Sequence, residues 1–537
     1  HSLRRRQRQM CIRDSFYTTT MKKFAALHDM DITSKGTILV ISPWNFPCAI
    51  PIGGIVAGLA GGNTVILKPA TVAAPVAWLF AKAFWDAGVP KEALQVIITD
   101  REALKELTSA PAIRHIILTG GTDTAQSIAR TNPSTPLSAE TGGKNAIILT
   151  ASGDRDHAIM NIVASAFGNA GQKCSACSLL LVERSVYEDK NFQDKLKDAA
   201  TSIKVGSVWE AGNVVGPMIT NRNEKLLQAL TLEPGESWLV PPKFIDEKQY
   251  ILAPTVKWGV KPGSYSFRTE LFGPMLSVVC INNLQQGIEL VNSLDYGLTS
   301  GLQSLDENEQ KLWKNSILAG NLYINRGITG AIVNRQPFGG MKLSAFGGGV
   351  KAGGPNYCAC LVKITDKPES NTDYKQSYPH VYEEEFAHAR DINKLYGEQN
   401  AFRYLPLKNM VLRLFPGDSN EEAEMIALAA KLCHTPLTIS FDPNDDRTSA
   451  LSSTGCTLKK ETSDEFLKTM RTYERIRTCD TDIPMEMYEE AARRNKYIAT
   501  AKPVKNGRVE LIHYIKEQSI SFEYHRYGSI LDVPPVE

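Results

Sequence analysis

The sequence has no long apolar run: its most hydrophobic stretches are broken by glycine, proline or charge before the roughly 20 residues a membrane helix needs. A bilayer span is not expected. A charge surplus of either sign is also missing. Sixty Lys and Arg stand against 58 Asp and Glu, a formal +2, which gives no electrostatic reason to expect nucleic acid or an anionic membrane as partner. Cysteine is sparse. Ten are scattered over 537 residues, the usage of a reducing compartment rather than of a small disulfide framework, so a cytoplasmic location is expected. Internal repeats and low-complexity tracts are absent as well.

What remains is the composition of a soluble globular protein, 43% hydrophobic and 22% charged, long enough for about three or four domains of roughly 150 residues. The opening HSLRRRQRQMCIRDS is basic, lacks the apolar core of a secretory signal, and reads as translated sequencing-adapter sequence. Residues 1–15 are therefore expected to lie outside the fold.

From residue 37 to 150 short β-rich runs alternate with helical ones. TILVI (37–41), TVILK (64–68), LQVII (94–98), RHIILT (114–119) and NAIILT (145–150) read as strands buried on both faces. Helical stretches between them predict a parallel sheet covered on both sides, with a ligand crevice at the strands' C-terminal ends. A second α/β unit is expected over 151–363, a polar linker over 364–382, and a third segment over 383–537.

Four places carry reactive or polar side chains. In ISPWNFP (41–47) two prolines stiffen a turn that presents Asn45, by itself a common turn former. LTGGTDTA (118–125) is a strand, glycine turn and helix start suited to phosphate approach, without the G-x-G-x-x-G pattern. In SAETGGKNA (138–146) Glu140 precedes two glycines; a lone glutamate usually faces solvent, but in a crevice it is a general base. GNAGQKCSACSLLLVE (168–183) holds Cys174 and Cys177. Their C-x-x-C spacing is open to a nucleophile beside a bystander, a structural or redox dithiol, or half of a zinc site completed by Cys358 and Cys360.

Together these loops resemble the aldehyde dehydrogenase superfamily. SPWNFP, GNTVILKPA, ETGGKN, GQKCSA, ELFGP, GLTSGL, NLYINR and QPFGG occur in the family's order between about Gly36 and Lys363. The resemblance implies the aldehyde dehydrogenase fold: a Rossmann-like NAD domain and an α/β catalytic domain, followed here by a smaller α/β C-terminal domain. It implies Cys174 as nucleophile, Glu140 as general base and Asn45 as oxyanion donor, with no metal. It places the two riboses of NAD on Lys68 and Glu270, with Phe272 beside the nicotinamide end. Ser42 with Gly120, Gly121, Thr122, Asp123 and Thr124 fall around the adenosine and pyrophosphate. Gly121 replaces a usual serine and Ala125 a frequent glycine, so this turn departs from the family's pattern.

Within the superfamily the chain most resembles the L-glutamate-γ-semialdehyde (1-pyrroline-5-carboxylate) dehydrogenases, through Ser175 after the nucleophile, RGITGAIVNRQPFGG (326–340) and KAGGPNY (351–357). That implies a small-molecule substrate whose amino-acid end is held by Ser175, Gly330 and Ala331, with Phe46 and Phe338 boxing its chain. Taken alone, Gly330 and Ala331 read as a surface turn and Phe338 as a core aromatic. YGEQNAFRYLPL (396–407) and EQSISFEYHRYGS (517–529) resemble the noncatalytic C-terminal domain of the bifunctional proline utilization A proteins. This implies an N-terminally truncated chain, FAD only if a proline dehydrogenase domain precedes it, and a homo-oligomer. Weak NAD binding or poor folding of the isolated chain is the corresponding expectation.

Overall fold

The computed structural model describes residues 2–220, 223–248 and 250–530. The first sheet contains four of the runs expected as strands, joined by Leu137–Glu140 and Ala345–Phe346; Thr64–Pro69 and Leu94–Val96, towards its other edge, are only partly buried rather than buried on both faces. Its order is Ala345–Phe346, Leu137–Glu140, Ile113–Thr119, Thr37–Ser42, Thr64–Pro69 and Leu94–Val96. All its pairings are parallel except the antiparallel one made by Ala345–Phe346. Helix Ala49–Ala60 packs on it, with Ile52, Ile55 and Ala57 buried in one core with Ile38, Val40 and Val65.

The strand Asn145–Leu149, expected in this sheet, belongs instead to a second one. That sheet has nine strands: Glu398–Pro406, Ile515–Glu523, Asn321–Ile324, Thr299–Gln303, Asn145–Leu149, Cys177–Glu183, Met275–Ile281, Thr255–Trp258 and Ser237–Val240. Its centre is parallel and its two outermost pairings are antiparallel. Asn145–Leu149 is buried on both faces. Each fully buried Ile or Leu there stabilises the fold by about 1.5–3 kcal/mol, whichever sheet recruits the strand. Apolarity alone could not choose between them.

A third, all-parallel sheet lies within the C-terminal segment, in the order Thr457–Lys460, Leu437–Phe441, Met410–Arg413, Arg475–Arg477 and Tyr497–Ala499. The boundary expected near residue 383 does not separate this segment from the rest, because Glu398–Pro406 and Ile515–Glu523 extend the second sheet. Nor is 364–382 wholly a linker. Strand Val362–Asp366 pairs with Met30–Ser34, and Asp373 caps helix Tyr374–Val381. The expected end of the C-terminal domain at residue 537 lies outside the described residues.

Helix Ser2–Ala25 runs without a break through the residue-15 boundary, with Tyr17 and Phe24 in the core. Behind the third sheet, Arg477 and Glu510 form a fully buried ion pair at 3.1 Å. Burial works against the guanidinium charge, and Glu510 with Tyr514 more than offsets it. Among the described residues, no helix is long and apolar enough to cross a membrane.

Candidate active site

Cys174 follows a turn that only close packing can hold. Helix Arg155–Phe167 gives way to Gly168–Gly171, where Asn169 (φ 59°), Ala170 (φ 52°) and Gly171 (φ 68°) are all left-handed. Residues other than glycine pay on the order of 1 kcal/mol each for this. At Gly171 a Cβ would fall 2.1 Å from the Gly273 carbonyl oxygen, so the turn sits directly against the ELFGP loop.

Two side chains fix the segment that follows. Asn145 donates from Nδ2 to the carbonyls of Cys174 (2.6 Å) and Ala176 (3.1 Å), and its Oδ1 accepts from Thr299 N–H. Asn45 donates to the Gln172 carbonyl at 3.1 Å, while the Gln172 amide oxygen accepts from Ile219 N–H at 2.9 Å. Asn45 is thereby held two residues from the thiol, with the second hydrogen of its amide free of that bond.

The thiol is partly accessible. Burial, then the carboxylates of Glu270 and Glu140, push it up to about 12, opposed by the backbone N–H groups of Ser175 and Cys174. Two N–H donors converging on the sulfur form an electrostatic cradle for negative charge. Glu140 ends the strand Leu137–Glu140 and accepts from Gly340 N–H at 3.0 Å. Burial raises it to about 8, against Lys351 and that N–H, with Glu517 adding to the rise. Glu270 accepts from Gly143 N–H at 2.7 Å, and burial raises it to about 7. The neighbouring Gly142 lets this carboxylate approach the backbone, since a Cβ there would lie 2.2 Å from Glu270 Oε2 and the carboxylate would have to shift.

Along the first sheet, Ser42, Lys68 and Gly120 sit at the C-terminal ends of adjacent parallel strands. Gly121 caps helix Thr122–Thr131 without a side chain, and the space where its Cβ would stand is open for 4 Å. The departure from serine thus leaves the helix N-terminus accessible to an anion. Asp123 and Thr124 lie in the helix's first turn, and Thr122 Oγ1 is 3.2 Å from the Tyr296 hydroxyl. Phe272 adopts φ 49° and meets Trp44 edge-on at 5.7 Å. Burial lowers Lys68.

Of the residues expected at the substrate, Ser175 is buried beside the thiol, and Phe46 precedes helix Ala49–Ala60, its carbonyl accepting from Ile50 N–H. Phe338 pairs with Ala352 through both backbone bonds. Gly330 is exposed at φ 88° with open space around it, and Ala331 is half-buried. The two cysteine pairs of the zinc reading belong to different cores. Cys177 opens a strand of the second sheet, and Cys358 packs with Tyr17 in the core of the first. Asn145 and Gln172 went unassigned in the sequence although both lie inside quoted motifs. Neither is a reactive type, and only their hydrogen bonds reveal what they hold.

The sequence profile of the aldehyde dehydrogenase family matches residues 16–365. The chain belongs to that family. It is 36% identical over 333 residues to a 1-pyrroline-5-carboxylate dehydrogenase of Geobacillus kaustophilus, covering 60% of this chain and 64% of the relative. To the corresponding enzyme of Bacillus subtilis it is 34% identical, with the same coverage. Among solved aldehyde dehydrogenase folds, a proline utilization A from Corynebacterium freiburgense superposes with TM-score 0.84 at 36% identity, over 96% of this chain and 52% of that one. A Thermus 1-pyrroline-5-carboxylate dehydrogenase with bound NAD gives TM-score 0.60 at 32% identity, over 65% and 71%. The chain spans less than two thirds of these curated relatives and about half of that proline utilization A.

Proposed function

We propose that this protein oxidises L-glutamate γ-semialdehyde, the open form of 1-pyrroline-5-carboxylate, to L-glutamate with NAD, the second step of proline catabolism. The observation that carries this reading is that Glu140 and two backbone N–H groups act on the Cys174 thiol while the Asn45 amide is tied to the Gln172 carbonyl two residues before it. Family membership and the names of the relatives supply the substrate class.

In this reading Cys174 gives up its proton to Glu140, which passes it to solvent, as the sulfur attacks the aldehyde carbon, and the oxygen takes up negative charge that the Asn45 amide and the Cys174 N–H stabilise. When bound, NAD supplies the acceptor for the hydride, leaving the carbon as a thioester on Cys174. Glu140 then takes a proton from water as the water oxygen attacks that carbon, the C–S bond breaks, and Cys174 is regenerated. The residues suit a dinucleotide: Gly121 to Thr124 would offer its pyrophosphate an open helix N-terminus, Lys68 and Glu270 would reach the riboses, and Trp44 and Phe272 would border the nicotinamide. Ser175, Gly330 and Ala331 would hold the amino-acid end, between Phe46 and Phe338.

Steady-state NADH formation with 1-pyrroline-5-carboxylate against a panel of simple aldehydes and other semialdehydes tests the reading. The highest kcat/KM is expected for the γ-semialdehyde; a higher value for another aldehyde would reassign the substrate. Asn45→Ala is expected to lower kcat by about 100-fold to 1,000-fold, roughly 3 kcal/mol of lost oxyanion stabilisation. Because Glu140 is raised to about 8, its base form is scarce below that pH. Thioester hydrolysis should therefore climb as pH rises through about 8, and Glu140→Gln should flatten that limb.

The same proposal includes a cytoplasmic location, a homo-oligomer, and kinship with the bifunctional proline utilization A proteins, one of which matches over 63% of this chain. Flavin would belong to a separate domain of such a protein.

A further inference from the structure

Lys351 is 1% exposed and takes no part in the chemistry described above. Its Nζ donates to Asn321 Oδ1 at 2.9 Å and to the Gly339 carbonyl. The Gly339 carbonyl and the Gly340 N–H belong to one peptide plane, and that N–H donates to Glu140 Oε2 at 3.0 Å. Asn321 Oδ1 also accepts from Gly339 N–H at 3.2 Å, so the same amide oxygen that receives the lysine anchors the preceding Phe338–Gly339 peptide. A cation on the oxygen of an amide draws electron density from its nitrogen and strengthens the bond its N–H donates. Behind the lysine stands a carboxylate from the C-terminal segment. Glu517 accepts from Lys351 N–H at 2.6 Å and from Asn356 Nδ2 at 2.7 Å.

We propose that Lys351 is the positioning residue of the general base: it acts through the Gly339–Gly340 peptide to aim Glu140 and favour its base form, and Glu517 seats the lysine. The proposal rests on Glu140 being the base of the reading above. Glu140 and Glu517 face Lys351; Cys174 and Tyr357 lie near Glu140; Arg508, Tyr404 and Cys360 lie near Glu517. Burial lowers Lys351 and raises Glu517, and each of these two charges favours the other. Among the described residues, the lysine is the one cation acting on Glu140 against its burial.

The test needs no NAD. With p-nitrophenyl acetate as acyl donor to the full chain, the burst of p-nitrophenol reports acylation of Cys174 and the steady state reports hydrolysis of the acetyl-enzyme. Lys351→Met should leave the burst amplitude intact and move the acidic limb of the steady-state rate up by about one pH unit, so that hydrolysis at pH 7 falls about tenfold. Lys351→Arg, which keeps the cation, should restore the limb. If Lys351→Met does not fold, Lys351→Gln supplies a donor to the Gly339 carbonyl without charge and should show the same shift. An unmoved limb in Lys351→Met or Lys351→Gln, beside a flattened one in Glu140→Gln, overturns the relay while leaving Glu140 as base. A limb unmoved in Glu140→Gln overturns the underlying reading instead.

Discussion

Cys174→Ala should abolish NADH formation, lowering kcat by on the order of 10^5-fold, the scale seen when a covalent nucleophile is removed. The size of the loss follows from the arrangement of the loop. Every element around residues 169–176 is spent on placing one sulfur: the left-handed turn, the Gly171 contact with the Gly273 carbonyl, and the two Asn145 bonds to Cys174 and Ala176 carbonyls. Alanine keeps all of these and deletes only the reacting atom. NAD should therefore still protect the variant against thermal unfolding. Cys177→Ala is the control: its thiol is buried with Leu180 and Phe167 and donates to the Leu179 carbonyl, so turnover should persist. Turnover of Cys174→Ala within tenfold of the unaltered chain would remove the covalent mechanism altogether.

The second large effect is on stability. Glu510→Ala should cost about 3–5 kcal/mol, because it strands the Arg477 guanidinium in a site with no access to water. Both side chains are fully buried, and Glu510 also accepts from the Tyr514 hydroxyl and Val504 N–H. Arg477 donates onward to the Thr478, Ala499 and Ala501 carbonyls, tying the last strand of the third sheet to the turn at 511–514. That turn feeds straight into Ile515–Glu523, which carries Glu517. Urea unfolding monitored by tryptophan fluorescence and circular dichroism gives the cost. The double change Arg477→Met with Glu510→Leu should recover part of it, since the loss reflects an uncompensated charge more than a missing attraction. A Glu510→Ala protein as stable as the parent would show that water or another group reaches Arg477.

The candidate site was largely legible in the sequence where its chemistry is local. Cys174, Glu140 and Asn45 each sit in a short run whose neighbours already restrict the backbone. Membership of a sheet was less legible. The runs at 114–119 and 145–150 are equally apolar, and only pairing with Thr299–Gln303 and Cys177–Glu183 sends the second into a different sheet. The antiparallel return of Ala345–Phe346 to Leu137–Glu140 joins residues about 200 positions apart, beyond the reach of any periodicity. Lys351 and Glu517 were silent for the same reason. A lysine in KAGGPNY reads as a solvated charge until a strand from the far end of the chain closes over it.

The pairing of Glu398–Pro406 with Ile515–Glu523 carries one more consequence. Pro406 lies opposite Ile515 in the register, so the chain leaves the second sheet and re-enters it at neighbouring points. In topological terms the whole five-stranded unit is a guest inserted into the tip of a β-hairpin. Splicing residue 406 to 515 through a short turn would excise it and keep the strand that bears Glu517, whereas a stop codon anywhere before 515 would take that strand away. The natural seam for dissecting the protein is therefore a loop swap, not a truncation.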